Sequence, residues 1–301
     1  MLQDNTLWLD NSGRSSFVRC PRYYYYSIVQ GIRPRKGSTA LRYGEVLHIL
    51  FENHYQGRTQ EECVVLAAAK WKDITMVQFF EDDYRTFEAL VQAFLVYPNH
   101  FSYDTETLKV LRTERLFDHH LGMLNNAVEV RFTGKIDMEV KLDGTIFIWE
   151  NKSTGQPIML QSTRLHRDPQ IIGYVWAGKK EHSSVEGCIV NLHHISARRK
   201  KDGDYGTLTL DFHRMPCVFT DKDLDNWRES FLYTARDVVR AHLEDEWPMI
   251  LDSCYQYGRC RYADLCETNT PLGEIPADYY IRQWDMRVPG QNIMSNGDIS
   301  G

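Results

Sequence analysis

Two carboxylates and a lysine, Asp137, Glu150 and Lys152, are spaced so that one tight turn would gather them. Asp143-Gly144 lies between the runs GKIDMEVKL and TIFIWENK. Asp-Gly between alternating apolar runs signals a two-residue β-hairpin. With that loop Leu142 pairs with Thr145, and Asp137 falls opposite Glu150. Opposed residues share a face, with Cβ atoms about 4.5–5.5 Å apart. Lys152, two residues past Glu150, projects from the same face. Adjacent carboxylates repel unless a cation sits between them. A divalent metal with oxygen ligands, as Mg²⁺ prefers, is one occupant. The other reading is an Asp/Glu/Lys salt-bridge cluster on a wet sheet face, and the hairpin alone does not choose between them.

The elements that must position these residues follow from periodicity. The first hundred residues read mainly as helix, with Ser15 or Ser16 as a cap for a helix through Tyr23–Tyr26. Leu41, Gly44, His48, Phe51 and Tyr55 recur at spacings of 3, 4, 3 and 4, one face of a helix over 41–55. Two more helices are expected at about 60–77 and 80–97, the second ended by Pro98. Strand patterns follow at 108–117, 127–142 and 145–152. Asp168-Pro169 opens a helix bearing Gln170 and Tyr174, four residues apart and so on one side. Strands return at 186–195 and 206–216, and a long helix covers about 221–244.

The 301 residues carry 43 % apolar and 25 % charged side chains, ordinary for a globular chain. No apolar run is long enough for a membrane-spanning helix. The start, MLQDNTLWLDNSG, lacks a basic stretch followed by an apolar core, so a cytoplasmic location is expected rather than secretion. The net charge of −6 does not favour nucleic acid, but its distribution does. Seven cations and no acid fall between Arg14 and Arg42, and Arg198–Lys201 forms a second basic cluster. A solvated loop tip explains that second cluster equally well. Tyr23–Tyr26 beside Arg19 and Arg22 suit stacking on unpaired bases, or else supply core aromatics. Three of the seven cysteines crowd into CYQYGRCRYADLC, which suggests metal ligation more than disulfides.

GKID, ENK and QxxxY in that order, preceded by GEVLH at 44–48, resemble the RecB-like branch of the PD-(D/E)xK nucleases. Cys20-Pro21-Arg22 and the trailing cysteines are similar to its iron–sulfur members, the AddB-type and CRISPR-associated RecB-like exonucleases. The resemblance spans about residues 12–267. It implies an α/β, restriction-endonuclease-like fold, a central mixed β-sheet flanked by helices. The domain would be 1–267, divided into a helical region (12–100), a nuclease core (107–216) and a helix plus cysteine segment (217–267), with 268–301 a loose tail.

The resemblance also implies roles. His48, Asp137, Glu150 and the Asn151 carbonyl would ligate Mg²⁺ or Mn²⁺. Lys152 would orient or deprotonate the attacking water, and Gln170 and Tyr174 would line the DNA side with Arg19 and Arg22. Glu114 falls where the branch often has a supporting acid. The alternatives are a core histidine at 48 and a helix that packs Tyr174 inward. Cys20, Cys254, Cys260 and Cys266 would hold a 4Fe-4S cluster. Their two five-residue gaps depart from the branch's two-then-five pattern, so structural Zn²⁺ remains an alternative. Cys63, Cys188 and Cys217 read as buried apolar residues. The implied activity is metal-dependent exonucleolytic hydrolysis of free, single-stranded DNA ends in recombination, repair or phage DNA processing, with a helicase or recombination partner. The alternatives are a catalytically silent DNA-binding scaffold and a restriction-type endonuclease.

Overall fold

The computed structural model describes residues 2–73, 84–201, 203–256, 258–268, 275–285, 287 and 292–293. In chain order the elements are β1 (Leu2–Gln3), β2 (Thr6–Leu9), α1 (Asn11–Arg19), α2 (Pro21–Tyr24) with a π-helical turn (Tyr25–Val29), β3 (Ile32–Pro34), α3 (Thr39–Tyr55), α4 (Gln60–Asp73), α5 (Phe87–His100) and α6 (Asp104–Thr107). Then come β4 (Leu108–Leu124), β5 (Val128–Leu142), β6 (Thr145–Thr154), α7 (Ile158–Leu165), α8 (Pro169–Glu181), β7 (Val185–Arg199), β8 (Tyr205–Val218), α9 (Asp221–Glu244), α10 (Ala263–Glu267) and β9 (Tyr279–Ile281). The helix boundaries expected between 74 and 83, and most of the expected tail, lie outside the described residues. The chain forms two compact units, Lys36–Arg115 with Ile136–Leu224, and Met1–Arg35 with Leu116–Lys135 and Asp225–Gly301.

In the unit that begins at Lys36, β5 from Ile136 onward pairs antiparallel with β6, β6 parallel with β7, and β7 antiparallel with β8. Parallel strands need a crossover, and α7 and α8 provide it. The hairpin register runs from Leu142–Thr145 to Met138–Trp149, as the turn spacing predicts. Asp143 and Gly144 both have positive φ, 47° and 88°, which the two-residue turn requires. The ladder stops at Met138–Trp149, one pair short of Asp137 and Glu150. Direct opposition of the two acids is therefore corrected: the strands fork there, and the Asn151 N–H donates to Asp137 Oδ2 at 2.9 Å.

Helices cover both faces of this sheet. Gly178 of α8 rests on β6, where a Cβ would lie 2.8 Å from Ile148 Cδ1. Helices α3, α4 and α5 bury Leu47, Leu50, Phe51, Cys63, Phe94 and Tyr97 with Ile195 and Phe212 of the sheet. The buried stripe of α3 is Tyr43, Val46, Leu47, Leu50 and Phe51, whereas Leu41 is 57 % exposed. The expected stripe is thus rotated, and His48 sits at its border. Pro98 does not end α5, which continues to His100. In the last turn a missing proline N–H forfeits one helical bond, and Phe101 N–H still closes on Tyr97 O at 3.3 Å.

In the other unit, β1 and β2 pair antiparallel, and β2 runs parallel to β5 from Thr6–Glu129 to Leu9–Phe132. The expectation of helix is corrected here, since Leu7 and Leu9 alternate inward and are fully buried. Asp10, rather than Ser15 or Ser16, caps α1 by accepting from the Gly13 N–H at 2.6 Å. Phe117, Phe132, Trp227 and Phe231 form an aromatic core. Part of the expected loose tail is strand: β9 pairs with β3. Tyr279 anchors it, stacked on Tyr262 and donating its hydroxyl to Arg261 O at 2.8 Å. Among the described residues no helix is long and apolar enough to cross a membrane.

Candidate active site

The fork between β5 and β6 gathers the predicted acids. Asp137, 7 % exposed, uses one oxygen, Oδ2, for three donors: the Asn151 N–H, His48 Nδ1 at 3.1 Å and the Asn151 side chain at 3.5 Å. Burial pushes the Asp137 carboxyl up, but His48, the Asn151 N–H and Lys152 outweigh it and hold the pKa below its ordinary value.

Glu150, 3 % exposed, has the opposite fate. Burial and then the neighbouring Asp137 charge raise its carboxyl to about 8, against the pull of Lys152 and His48. Its Oε1 accepts from Gln170 Nε2 at 2.7 Å and lies 3.5 Å from Lys152 Nζ. Its Oε2 is buried with no hydrogen-bond partner among the described residues. A carboxylate with one orphaned oxygen, facing a second carboxylate, presents the donor set of a divalent cation site.

Gln170 brackets the site. Its Oε1 accepts from Lys152 Nζ at 2.8 Å, while its Nε2 donates to Glu150 and to the Tyr174 hydroxyl at 3.3 Å. One amide therefore fixes the acid, the ammonium and the phenol together. Asp168 caps α8 by accepting from Gln170 N–H at 2.9 Å. It also does something the sequence reading missed. Burial lowers the Lys152 pKa, but Glu150 first, then Asp168 and Asp137, raise it above the ordinary value. The missed signal was the position of Asp168, two residues before Gln170 on a helix already expected to face the acids.

The family model of the PD-(D/E)XK nuclease superfamily matches residues 12–267. The chain belongs to the PD-(D/E)XK nuclease superfamily. Asp137 and Glu150-Asn151-Lys152 both lie within the matched residues. A solved structure described as "Putative exonuclease" from Eubacterium rectale is 12 % identical, covering 90 % of this chain and 91 % of its own, with a TM-score of 0.50. The solved structure of SSO0001 is 11 % identical over 77 % and 78 % of the two chains, with a TM-score of 0.30. No curated protein sequence matches the chain.

PD-(D/E)XK nucleases generally use Mg²⁺ or Mn²⁺. Among the described residues no group of three or more His, Cys, Asp or Glu side chains is placed to hold a metal ion. The acids nevertheless fit a hard cation, since the orphaned Glu150 Oε2 lacks a proton donor and the two carboxylates repel without one.

Within this superfamily chain the expected cysteine ligands also meet. Cys20, Cys254, Cys260 and Cys266 line one cavity of about 310 Å³ with Tyr23, Tyr26 and Tyr262. Cys20 Sγ accepts from the Ile250 N–H at 3.4 Å, and Cys260 N–H donates to Cys254 O at 2.7 Å. Burial raises the Cys266 thiol to about 11, and Cys260, Cys20 and Cys254 add to the rise against Arg22. Among the described residues the four thiols are not grouped so as to hold a metal ion. Cys63, Cys188 and Cys217 are buried, in keeping with an apolar role.

The predicted basic segment is largely occupied internally. Arg22 Nε donates to Trp247 O at 2.6 Å, Arg33 to Ser27 O at 2.6 Å and Arg35 to Ala277 O at 2.7 Å. Arg14 donates to Ser230 Oγ, and Arg42 to Trp71 O while covering the Trp71 ring. Arg19 lies over the Tyr23 ring at 4.6 Å. Tyr24, Tyr25 and Tyr26 are buried, so three of the four tyrosines serve the core. Glu114 sits at a positive φ of 49° within β4.

Proposed function

We propose that the chain is a divalent-metal-dependent DNA exonuclease that hydrolyses phosphodiester bonds at free, single-stranded ends. The observation that carries this reading is Glu150 and Lys152 held by one amide beside Asp137, with a buried carboxylate oxygen left over. His48, Asp137, Glu150 and the Asn151 carbonyl are the proposed ligands of Mg²⁺ or Mn²⁺. The bound ion would neutralise phosphate charge and lower the pKa of the attacking water.

The remaining work falls to the chain. Lys152 offsets charge on the phosphate and orients the water, and its raised pKa keeps it cationic. Gln170 keeps Lys152 from collapsing wholly onto Glu150 by accepting one of its protons. Tyr174 extends that hydrogen-bonded line toward the DNA. Arg19 and Arg22 are proposed phosphate contacts, with Arg19 the better placed because Arg22 is committed to Trp247 O. The domain is proposed to run through 1–267, and the resemblance to RecB-like enzymes supports a proposed role in DNA recombination, repair or phage DNA processing beside a helicase or recombination partner.

Cys20, Cys254, Cys260 and Cys266 are proposed to bind a 4Fe-4S cluster. Protein purified without oxygen should be brown and contain iron and sulfide. A colourless protein with one stoichiometric zinc would replace the cluster by Zn²⁺ and leave the nuclease reading intact.

The deciding experiment digests end-labelled single- and double-stranded DNA with Mg²⁺ or Mn²⁺ beside a covalently closed circle. Loss of label from linear single strands with the circle untouched supports the proposal. Cutting of the circle makes the chain an endonuclease. DNA binding without hydrolysis makes it a scaffold.

A further inference from the structure

We propose that Asn191 is a positioning residue that fixes the orientation of Asn151 and, through it, the metal-binding end of the site; this rests on the nuclease reading above. Asn151 lies just past the point where the β5–β6 ladder ends. Its N–H is turned onto Asp137 Oδ2, and its carbonyl is a proposed ligand. The backbone orientation of this one residue therefore sets two parts of the site; the β5 ladder ends before it, and β7 pairs with it on the other side.

The side chain of Asn151 adds a second restraint to that ladder. By strand alternation it points away from the face of Glu150 and Lys152. There its Oδ1 accepts from Trp149 Nε1 at 3.1 Å and from Asn191 Nδ2 at 2.9 Å. Asn191 is the register partner of Asn151 across the parallel β6–β7 ladder and is fully buried. Its remaining amide proton goes to His193 Nε2 at 2.9 Å, and its Oδ1 accepts from the Tyr97 hydroxyl at 3.1 Å. Tyr97 in turn accepts from Arg214 Nη2 at 2.9 Å, and Arg214 is clamped by Asp104. With both amide protons donated, a flipped Asn191 would set its carbonyl against Asn151 Oδ1. One orientation is thus enforced.

Packing does not require this arrangement. The neighbours Val190 and Leu192 show what β7 uses for burial alone. A buried polar chain among Phe51, Phe212 and Tyr97 carries desolvation costs that an apolar residue avoids, and what it provides is a single geometry. Residues that orient metal ligands in this way typically affect metal affinity by 10–100-fold.

The test is calorimetric titration of metal-free protein with Mn²⁺, with the melting temperature recorded as a folding control. For Asn191→Leu the Mn²⁺ Kd should weaken by about tenfold. Tyr97→Phe, which removes one remote hydroxyl and keeps the ring, should weaken it less. Hydrolysis of an end-labelled single strand should return to near the wild-type rate at saturating Mn²⁺. An unchanged Kd in folded Asn191→Leu overturns the inference, as does activity that stays low at saturating Mn²⁺. If Asn191→Leu does not fold, Tyr97→Phe carries the same comparison, and its unchanged Kd is equally fatal. Wild-type protein that neither binds Mn²⁺ nor cuts DNA overturns the nuclease reading itself. Wild type that does both, with variants that match it, overturns this inference alone.

Discussion

The acid site and the cysteine cavity are assembled in opposite ways. Asp137, Glu150, Lys152, Gln170 and Tyr174 lie between residues 137 and 174; side-chain hydrogen bonds through Gln170 set the last four, and Asn151 and His48 hold Asp137. The cysteines are drawn from segments more than 230 residues apart and share a cavity with few bonds to their sulfurs. A metal at the first site would find a frame and complete its charge. A metal at the second would itself be the frame. Loss of ligands should therefore cost activity at the first and folding at the second.

The sharpest break of that contrast is Asp137→Ala. Hydrolysis should fall by roughly a thousandfold, about 4 kcal/mol of barrier, while DNA binding and the melting temperature stay close to wild type. Cutting at the wild-type rate would show that the fork is not the active site.

Cys260→Ala should do the reverse. The melting temperature should drop by on the order of 10 °C and solubility with it, because the tie across the chain is gone. Residual folded protein should cut DNA normally. A variant as stable as wild type would make the trailing cysteines incidental.

A third expectation concerns pH in the presence of chelator. Folded Glu150 holds its proton to about pH 8, whereas an unfolded glutamate releases it near 4.5. Between those values the folded state binds more protons, so this contribution is full below about pH 4.5 and is lost as pH rises through 8. Asp137, held below its ordinary value of 3.8, acts the other way and loses its contribution only in acid. The melting temperature should fall by on the order of 5 °C from pH 5 to 8. Glu150→Gln should flatten the profile, and an equally steep profile in that variant would move the cause elsewhere. No matching trend is expected from Cys266, whose thiol burial raises to about 11.

The smallest effect is expected from Gln170→Leu. Removing the bracket frees Lys152 to close on Glu150, and kcat should fall by about tenfold with stability nearly unchanged. If kcat is unaffected, the amide is not what holds the acid and ammonium apart.

Local rules made much of this legible. Asp143-Gly144 fixes the hairpin register to the residue, and Asp168-Pro169 fixes the start of the helix that carries Gln170 and Tyr174. The mixed sheet and its flanking helices follow from the same patterns. The fork at Asp137 was not legible, because alternation describes a ladder that continues and says nothing about where strands part. The fate of Arg22, Arg33 and Arg35 was hidden as well. Each donates to a main-chain carbonyl, and carbonyls leave no mark in sequence. Asn191 left a faint one, a polar residue between Val190 and Leu192 that reads as noise until its partners are placed.

The division of the chain has a consequence for the order of assembly. The unit holding the acids is complete in sequence at Leu224, whereas the other needs residues as far as Ile281 for its β3–β9 pair. Synthesis proceeds from the N-terminus at about 5–20 residues per second, so the acid-bearing unit has its full chain first. Cys20 waits meanwhile as an unmatched thiol through more than 230 residues of translation. Contacts of such separation close slowly. The meeting of Cys20 with Cys254, Cys260 and Cys266 is thus a late event, coming after the chain of the acid-bearing unit is complete.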